Sequence, residues 1–214
     1  MFEKIMPNEI ESRSFEIIGA EMGDIILDPL QEPIIKRAVH TSADFDYVEN
    51  LYFSPHVVEK AICAIKSGAD ILTDTNMARS GINKRALERF GGSVHCFMSD
   101  EETAKRALEK GMTRAAVCME RAVELSDNLI IAVGNAPTAL IRLREMCDEG
   151  LIAPKAVIAV PVGFVNVVAS KELFVEYNRI PSIVARGRKG GSNIAAAICN
   201  ALIYMIGKGD KYGL

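Results

Sequence analysis

The feature that most constrains the fold is a regular alternation of short apolar runs with helical segments. Six runs rich in β-branched or aromatic residues predict strands, over 47–53, 70–74, 93–98, 128–133, 156–160 and 182–186. Several are apolar at nearly every position, which is typical of parallel strands covered by helices on both faces. The alternation therefore predicts a doubly wound α/β fold in which ligands bind beyond the carboxyl ends of the strands.

Helix signals lie between the predicted strands. Ser54 and Pro55 predict the N-cap and first residue of a helix that ends near Ser67, and Ser99 or Asp100 opens another that ends at Gly111. Apolar spacing predicts further helices over 113–125, 136–147 and 192–206. The apolar stretch 194–206 is interrupted by Asn200 and is shorter than the roughly 20 residues that span a bilayer, so it predicts a buried helix.

The first 44 residues lie outside this repeat. Residues 9–22 and 33–42 each predict a helix, and together they form what we call the N-terminal annex, residues 1–44. No linker or internal repeat separates the annex from the rest, so residues 1–214 are predicted to form a single domain. Contact with a second subunit is one use open to the annex.

Composition indicates the cellular compartment and disfavours some classes of binding partner. The start lacks the apolar segment of a secretory signal, and the five cysteines are scattered without a C-x-x-C pair, which favours a cytoplasmic protein with small buried cysteines and no structural zinc site. The net charge of −3 and the lack of tryptophan disfavour nucleic acid, and no segment predicts a membrane span. The basic excess in residues 171–214 suits a small anionic ligand instead.

Three loops after predicted strands are richer in polar residues and glycine than a packing turn requires: TDTNMARSG (73–81), GNAPTA (134–139) and ARGRKGGSN (185–193). In the last, Gly190 and Gly191 allow close backbone approach, and Ser192 or Asn193 predicts the cap of a helix whose N–H groups bind anions. Arg188 adds positive charge. A solvated basic turn with glycines needed only for geometry explains this segment equally well.

The other two loops offer weaker signals. Pro137 predicts the first turn of a helix and so places Asn135 at the sheet edge, although an ordinary helix cap has the same pattern. Asp74 and Asn76 have side chains that bind either a ligand or their own loop, and the pattern favours the loop. No G-x-G-x-x-G or P-loop motif occurs, which disfavours a nucleotide cofactor.

Of three histidines, His40 is the best candidate for chemistry. It ends an apolar helical run, with Arg37 one turn earlier on the same face. Histidine exchanges protons near neutral pH, and arginine binds carboxylates. A histidine that merely favours the helix C-terminus is the simpler interpretation. Without metal-ligand or nucleophile motifs, two classes remain: an isomerase that uses one acid, and a noncatalytic binder of an anionic ligand.

Several segments together resemble the precorrin-8X/cobalt-precorrin-8 methylmutase family of corrin biosynthesis. They are EIESRSFEII (9–18), RAVHTSAD (37–44), TDTNMARSGI (73–82), GNAPTAL (134–140), PVGFV (161–165), SKE (170–172) and RGRKGGSN (186–193). The stretch after His40 departs from the family, whose members resemble A-x-G where this chain has Thr41, Ser42 and Ala43.

The resemblance implies a flavodoxin-like open sheet, a homodimer and an isomerisation that moves a methyl group from C-11 to C-12 of the macrocycle. It implies no redox cofactor and no metal, and it gives His40 the role of proton donor and acceptor. The alternative is a noncatalytic binder of an anionic tetrapyrrole or phosphate ligand, which needs only the glycine and arginine loops. Ser14 and Arg37 match substrate-binding positions of the family. The complete set of candidate substrate-binding residues is Arg13, Ser14, Arg37, Asp74, Asn76, Arg114, Asn135, Pro137, Thr138, Gly163, Phe164, Arg188, Gly190, Gly191 and Ser192.

Overall fold

A six-stranded open sheet forms the centre of the fold, in a computed structural model that describes residues 3–177 and 179–207. The strands are β1 (Leu51–Phe53), β2 (Asp70–Thr73), β3 (Val94–His95), β4 (Leu129–Val133), β5 (Ala156–Ala159) and β6 (Ser182–Ala185), in the order β1-β6-β5-β4-β2-β3. All neighbouring pairs are parallel except β1 and β6. The predicted mainly parallel α/β sheet is therefore confirmed.

Helices cover both faces of the sheet. They are α1 (Ile10–Met22), α2 (Glu32–Ser42), α3 (Tyr47–Asn50), α4 (Val57–Lys66), α5 (Asn76–Gly81), α6 (Lys84–Glu88), α7 (Glu101–Lys110), α8 (Arg114–Glu120), α9 (Pro137–Asp148), α10 (Val167–Val175) and α11 (Ser192–Ile206). A short 3₁₀ helix, Arg121–Glu124, follows α8. No helix among the residues described is long and apolar enough to cross a membrane.

Two hydrophobic cores lie on opposite faces of the sheet because successive side chains of a strand point in opposite directions. In β4, Ile130 and Ala132 join the core beneath α1, α2, α4 and α11, whereas Leu129, Ile131 and Val133 join the core beneath α8, α9 and α10. Asn200, the polar residue within the apolar pattern of α11, has a structural role, since its side chain forms hydrogen bonds with the backbone of Gly81 and Asn83.

Some predicted boundaries are wrong. Residues 47–50 form α3 rather than the start of a strand, and β3 contains only two of the six predicted residues. The predicted cap at Ser54 is also wrong, because its hydroxyl accepts the Ser182 N–H and the helix begins at Val57. Three helices, α5, α6 and α10, were not predicted because they are short or apolar on every side. Cys63 is exposed and Cys96 half-buried, against the expectation that all cysteines are buried.

The N-terminal annex packs on the sheet domain through α2. Ile34, Ile35, Ala38 and Val39 on one face of α2 are buried, in the same core as α11. This packing directs the end of α2 toward the carboxyl end of β6, because β1 follows α3 and runs antiparallel to β6, with Leu51 opposite Ala185. The candidate residues of the annex are thereby brought to the edge where the polar loops lie.

Candidate functional site

The three polar loops meet at one edge of the sheet, as predicted. They follow β2, β4 and β6, whose carboxyl ends lie on the same side because these strands run parallel. The Thr75 and Ser192 hydroxyls are 2.7 Å apart, which joins the first loop to the third. A Cβ atom on Gly134 would lie 2.7 Å from the Cα of Ser192, so glycine is required for the second loop to approach the third.

Asp74 links the first loop to the second. Its side chain is fully buried, and its two oxygens accept the N–H groups of Gly134, Asn135 and Ala136 at 2.7–2.8 Å. Burial raises the pKa of the Asp74 carboxyl, while these three donors act in the opposite direction. Asp74, which the sequence offers either as a ligand contact or as a support of its own loop, thus holds the neighbouring loop through both carboxylate oxygens.

The third loop is held from below by Lys171 of α10. The Lys171 ammonium is 0% exposed and donates to the carbonyls of Gly187 at 2.9 Å and Lys189 at 2.7 Å. Burial lowers the pKa of Lys171 to about 8. A Cβ atom on Gly190 would collide with the carbonyl oxygen of Val160, so this loop also needs its glycine. The N-cap of α11 is Gly191, not the predicted Ser192 or Asn193.

Lys189 ties this loop to the end of the annex. Its ammonium lies 2.6 Å from an Asp44 oxygen and 2.5 Å from an Asp46 oxygen. These carboxylates raise the pKa of Lys189, and Lys189 lowers that of Asp44. Because Asp44 lies four residues after His40, the ion pair connects the segment that carries His40 to the glycine-rich loop.

Arg37 and His40 share one face of α2 and contact the same aromatic ring. The Phe15 ring of α1 stacks on the His40 imidazole with centroids 5.2 Å apart, and the Arg37 guanidinium carbon lies 5.0 Å from the Phe15 centroid. Arg37 also lies 5.3 Å from the ring of Tyr204 and donates to Glu11 at 2.5 Å. Arg37 therefore already has a carboxylate partner from its own chain, and a substrate carboxylate would compete with Glu11.

His40 itself is exposed in the last turn of α2. Within residues 3–177 and 179–207, its imidazole nitrogens make no hydrogen bond. Ala43, the C-cap of α2, adopts a left-handed conformation with φ of 54° at the position where the family pattern has glycine. The turn after His40 therefore places a Cβ atom in a conformation that favours glycine.

Several of the other polar candidates form contacts within the protein. Arg13 is paired with Glu3 and Glu16, and the Ser14 hydroxyl donates to the Ile10 carbonyl at 2.8 Å. The Asn76 amide donates to the Ser99 hydroxyl, and the Thr138 hydroxyl lies 2.8 Å from that of Thr113. Pro137 begins α9 as predicted, and both Arg114 and Asn135 are exposed.

An apolar surface adjoins the glycine-rich loop. Phe164 is 80% exposed, and the Arg188 guanidinium lies 5.4 Å from the centre of its ring. The Gly163 N–H donates to the Arg188 carbonyl at 3.2 Å, which joins the loop after β5 to the loop after β6. Val162, Val165 and Val168 expose further apolar area beside Phe164. This arrangement provides a hydrophobic face next to a cation.

Sequence reasoning missed two residues of this region, Phe15 and Lys171. Phe15 lies in the same EIESRSFEII segment as Arg13 and Ser14, and helical spacing from Glu11 gives it the same face as that glutamate. Lys171 lies in the SKE segment, where a lysine within an apolar helical pattern is the available signal. Which backbone carbonyls this lysine binds depends on the tertiary structure.

The comparisons with known proteins agree with this geometry. A model of the precorrin-8X methylmutase family matches residues 9–205. The chain belongs to the precorrin-8X methylmutase family. The match includes both the annex that carries His40 and the loops that follow β2, β4 and β6.

Individual relatives cover nearly the full length. A cobalt-precorrin-8 methylmutase of Salmonella typhimurium is 44% identical, with 92% of this chain and 95% of that protein covered. A precorrin-8X methylmutase of a Sinorhizobium species is 37% identical, with 91% and 93% covered. The crystal structure of a precorrin-8X methylmutase from Thermus thermophilus superposes with a TM-score of 0.85 at 37% identity, covering 94% of this chain and 98% of that one.

These matches distinguish the two classes that the sequence left open. The relatives are named as methylmutases, and their similarity extends over almost all of both chains rather than over one loop. This member of the precorrin-8X methylmutase family is therefore an isomerase of cobalamin biosynthesis, and the noncatalytic binder is not favoured.

Proposed function

We propose that this methylmutase moves a methyl group from C-11 to C-12 of precorrin-8X or cobalt-precorrin-8, with His40 as proton donor and acceptor. The observation that supports the role of His40 is the placement of its side chain. The imidazole is exposed at the end of α2, stacks on Phe15 and lies close in sequence to the Asp44–Lys189 ion pair. The products are hydrogenobyrinate and its cobalt counterpart, cobyrinate.

The proposed chemistry requires one acid. The His40 imidazolium donates a proton to the macrocycle, which becomes electron-poor and undergoes the methyl shift within the same molecule. The imidazole then takes a proton back from the rearranged macrocycle, so the histidine returns to its starting state and substrate and product have the same composition. The Phe15 ring restricts the plane of the imidazole, and the exposed position of His40 leaves it accessible to a large ligand.

Binding relies on several contacts spread around the substrate. The macrocycle carries acetate and propionate groups, which suit Arg188 and the N–H groups of the glycine-rich loop. Phe164 offers an apolar ring to the flat macrocycle. We also propose direct contacts from Arg13, Ser14, Arg37, Asn76, Arg114, Asn135, Pro137, Thr138, Gly163, Gly190, Gly191 and Ser192, with Asp74 as a support of the second loop.

We further propose a cytoplasmic homodimer of one-domain subunits. The proposal of one domain is supported by the single sheet that separates both cores. The proposal of a dimer is supported by exposed isoleucines of the annex, among them Ile26 at 97%, because such apolar surface is stabilised by contact with a partner. Light scattering at micromolar concentration tests the dimer, and a monomeric mass contradicts it.

The reaction is tested by incubating purified protein with precorrin-8X and, separately, with cobalt-precorrin-8. The expected result is conversion of at least one substrate, followed by the absorption spectrum and by isolation of the rearranged product. Using both substrates is necessary because relatives named for each of them match this chain. Failure to convert either one, by protein that is folded, contradicts the proposed function.

A further inference from the structure

The glycine-rich loop turns its carbonyl groups toward the protein. Lys171 binds the carbonyls of Gly187 and Lys189, and the Gly163 N–H binds the carbonyl of Arg188 between them. Three consecutive carbonyl oxygens are thus occupied by donors of the protein itself. Two of the three depend on a single ammonium group that is fully buried.

The backbone N–H groups of the same segment differ from its carbonyl groups, because they have no hydrogen-bond partner among the described residues. Among residues 3–177 and 179–207, the backbone N–H groups of residues 187–190 donate no hydrogen bond. Residues 187–189 are exposed, and Gly190 is partly exposed. Because backbone N–H groups require an acceptor, four consecutive free donors at a sheet edge are suited to an anion that displaces water from them.

The charges around the loop favour the same kind of ligand. Arg186 is paired with Glu172, and Lys189 is paired with Asp44 and Asp46. Within the described part of the chain, Lys171 has carbonyl partners only and no carboxylate within 4.0 Å. Glu172 acts on the Lys171 ammonium only from beyond contact distance and is itself paired with Arg186. The positive charge buried beneath the loop therefore attracts an anion above it.

We infer that Lys171 is a positioning residue that presents the N–H groups of residues 187–190 to a carboxylate of the substrate. Lys171 does not itself touch the ligand, because it is buried beneath the loop. It acts by holding two carbonyls away from the anion that they would otherwise repel, and by adding its charge. This inference rests on the proposed function for the nature of the ligand, a tetrapyrrole with peripheral carboxylates.

The test measures binding of hydrogenobyrinate by titration to wild-type protein and to Lys171→Met, Lys171→Gln and Lys171→Arg. Lys155→Met, at an exposed lysine preceding β5, is the control. We expect Lys171→Met to raise Kd about tenfold or more, since hydrogen bonds of charged groups are lost. Lys171→Arg, which retains charged donors, is expected to stay within about threefold of wild type.

A second ligand separates carboxylate binding from a general structural role. Hydrogenobyrinate whose peripheral carboxylates have been amidated is expected to bind Lys171→Met and wild type alike. Kinetically, Lys171→Met is expected to raise KM with little change in kcat, as for loss of binding that is equal in ground and transition states. Equal weakening toward both ligands, or an unchanged Kd for hydrogenobyrinate, overturns the inference.

Two further outcomes of the titration also decide between the inference and the proposed function. Should Lys171→Met not fold, the comparison of Lys171→Arg with Lys171→Gln decides, and equal affinities of these two variants overturn the inference. Wild-type protein that binds no hydrogenobyrinate contradicts the proposed function. Wild-type binding with unaltered binding by Lys171→Met contradicts only the role of Lys171, so the two failures are distinguishable.

Discussion

The imidazole ring of His40 stacks on the phenyl ring of Phe15, with centroids 5.2 Å apart and an angle of 29° between the planes. This contact joins α2 to α1 and restricts the orientation of a side chain that is otherwise exposed. Since Arg37 lies over the same phenyl ring, Phe15 sets the relative positions of the two candidate residues of α2.

Replacing His40 separates binding from turnover. His40→Asn is expected to fold and to bind hydrogenobyrinate with near wild-type affinity, because many contacts share the binding energy. Its turnover is expected to fall about 10²–10⁴-fold, since proton transfer by a positioned side chain contributes that much. Single-turnover absorption measurements test this, with His56→Asn at an exposed histidine as the control. Turnover at the wild-type rate removes His40 from the chemistry.

Replacing Glu11 and replacing Arg37 are expected to have opposite effects on substrate binding. Glu11→Gln removes the competing carboxylate and is expected to tighten substrate binding by about two- to fivefold, the value of a partly exposed ion pair. Arg37→Ala is expected to weaken binding. Titration with hydrogenobyrinate measures both, with Glu21→Gln as the control on α1. If both variants bind like wild type, Arg37 does not contact the substrate.

Asp74 is predicted to stabilise the junction of the first and second loops. In Asp74→Asn, the amide NH₂ group would face backbone N–H donors, so charged hydrogen bonds are lost and the free energy of unfolding falls by about 3 kcal/mol. That corresponds to a decrease in Tm of roughly 6–12 °C for a chain of this size. Thermal unfolding measures it against Asp127→Asn, an exposed control. An unchanged Tm would show that these bonds do not stabilise the fold.

Phe164 is predicted to affect binding without affecting stability. Because its ring is exposed, Phe164→Ala is expected to change the free energy of unfolding by less than about 0.5 kcal/mol. The variant is expected to bind hydrogenobyrinate about fivefold more weakly, through loss of an aromatic contact with the macrocycle. Leu108→Ala, at an exposed leucine of α7, is the control for both measurements. A large loss of stability would contradict the surface role.

The lowered pKa of Lys171 predicts that the free energy of unfolding depends on pH. Its folded pKa of about 8 lies below the unfolded value of about 10.4, so above pH 8 the unfolded chain binds more protons than the folded one. The unfolding free energy of wild type should therefore rise relative to that of Lys171→Arg, by about 1 kcal/mol between pH 7 and pH 9. Denaturant titrations at both pH values measure it. A constant difference between the two proteins contradicts the lowered pKa.

Local signals in the sequence predicted most of the architecture. The apolar runs identify the central strands because β2, β4, β5 and β6 are covered on both faces, and such strands need apolar residues throughout. Sequence reasoning failed at β1 and α3, where an edge strand has a weaker pattern and the antiparallel pairing with β6 is decided by distant residues.

The sequence alone determined the candidate histidine, the three polar loops and the resemblance to the family, because these are properties of residue type, order and spacing. The tertiary structure decided which groups meet. It placed Asp74 on the N–H groups of the second loop, Lys171 on the carbonyls of the third, and Glu11 on Arg37. These partners are 60, 16 and 26 positions apart in the chain. Contacts over such separations depend on how helices and strands pack, which no local pattern specifies.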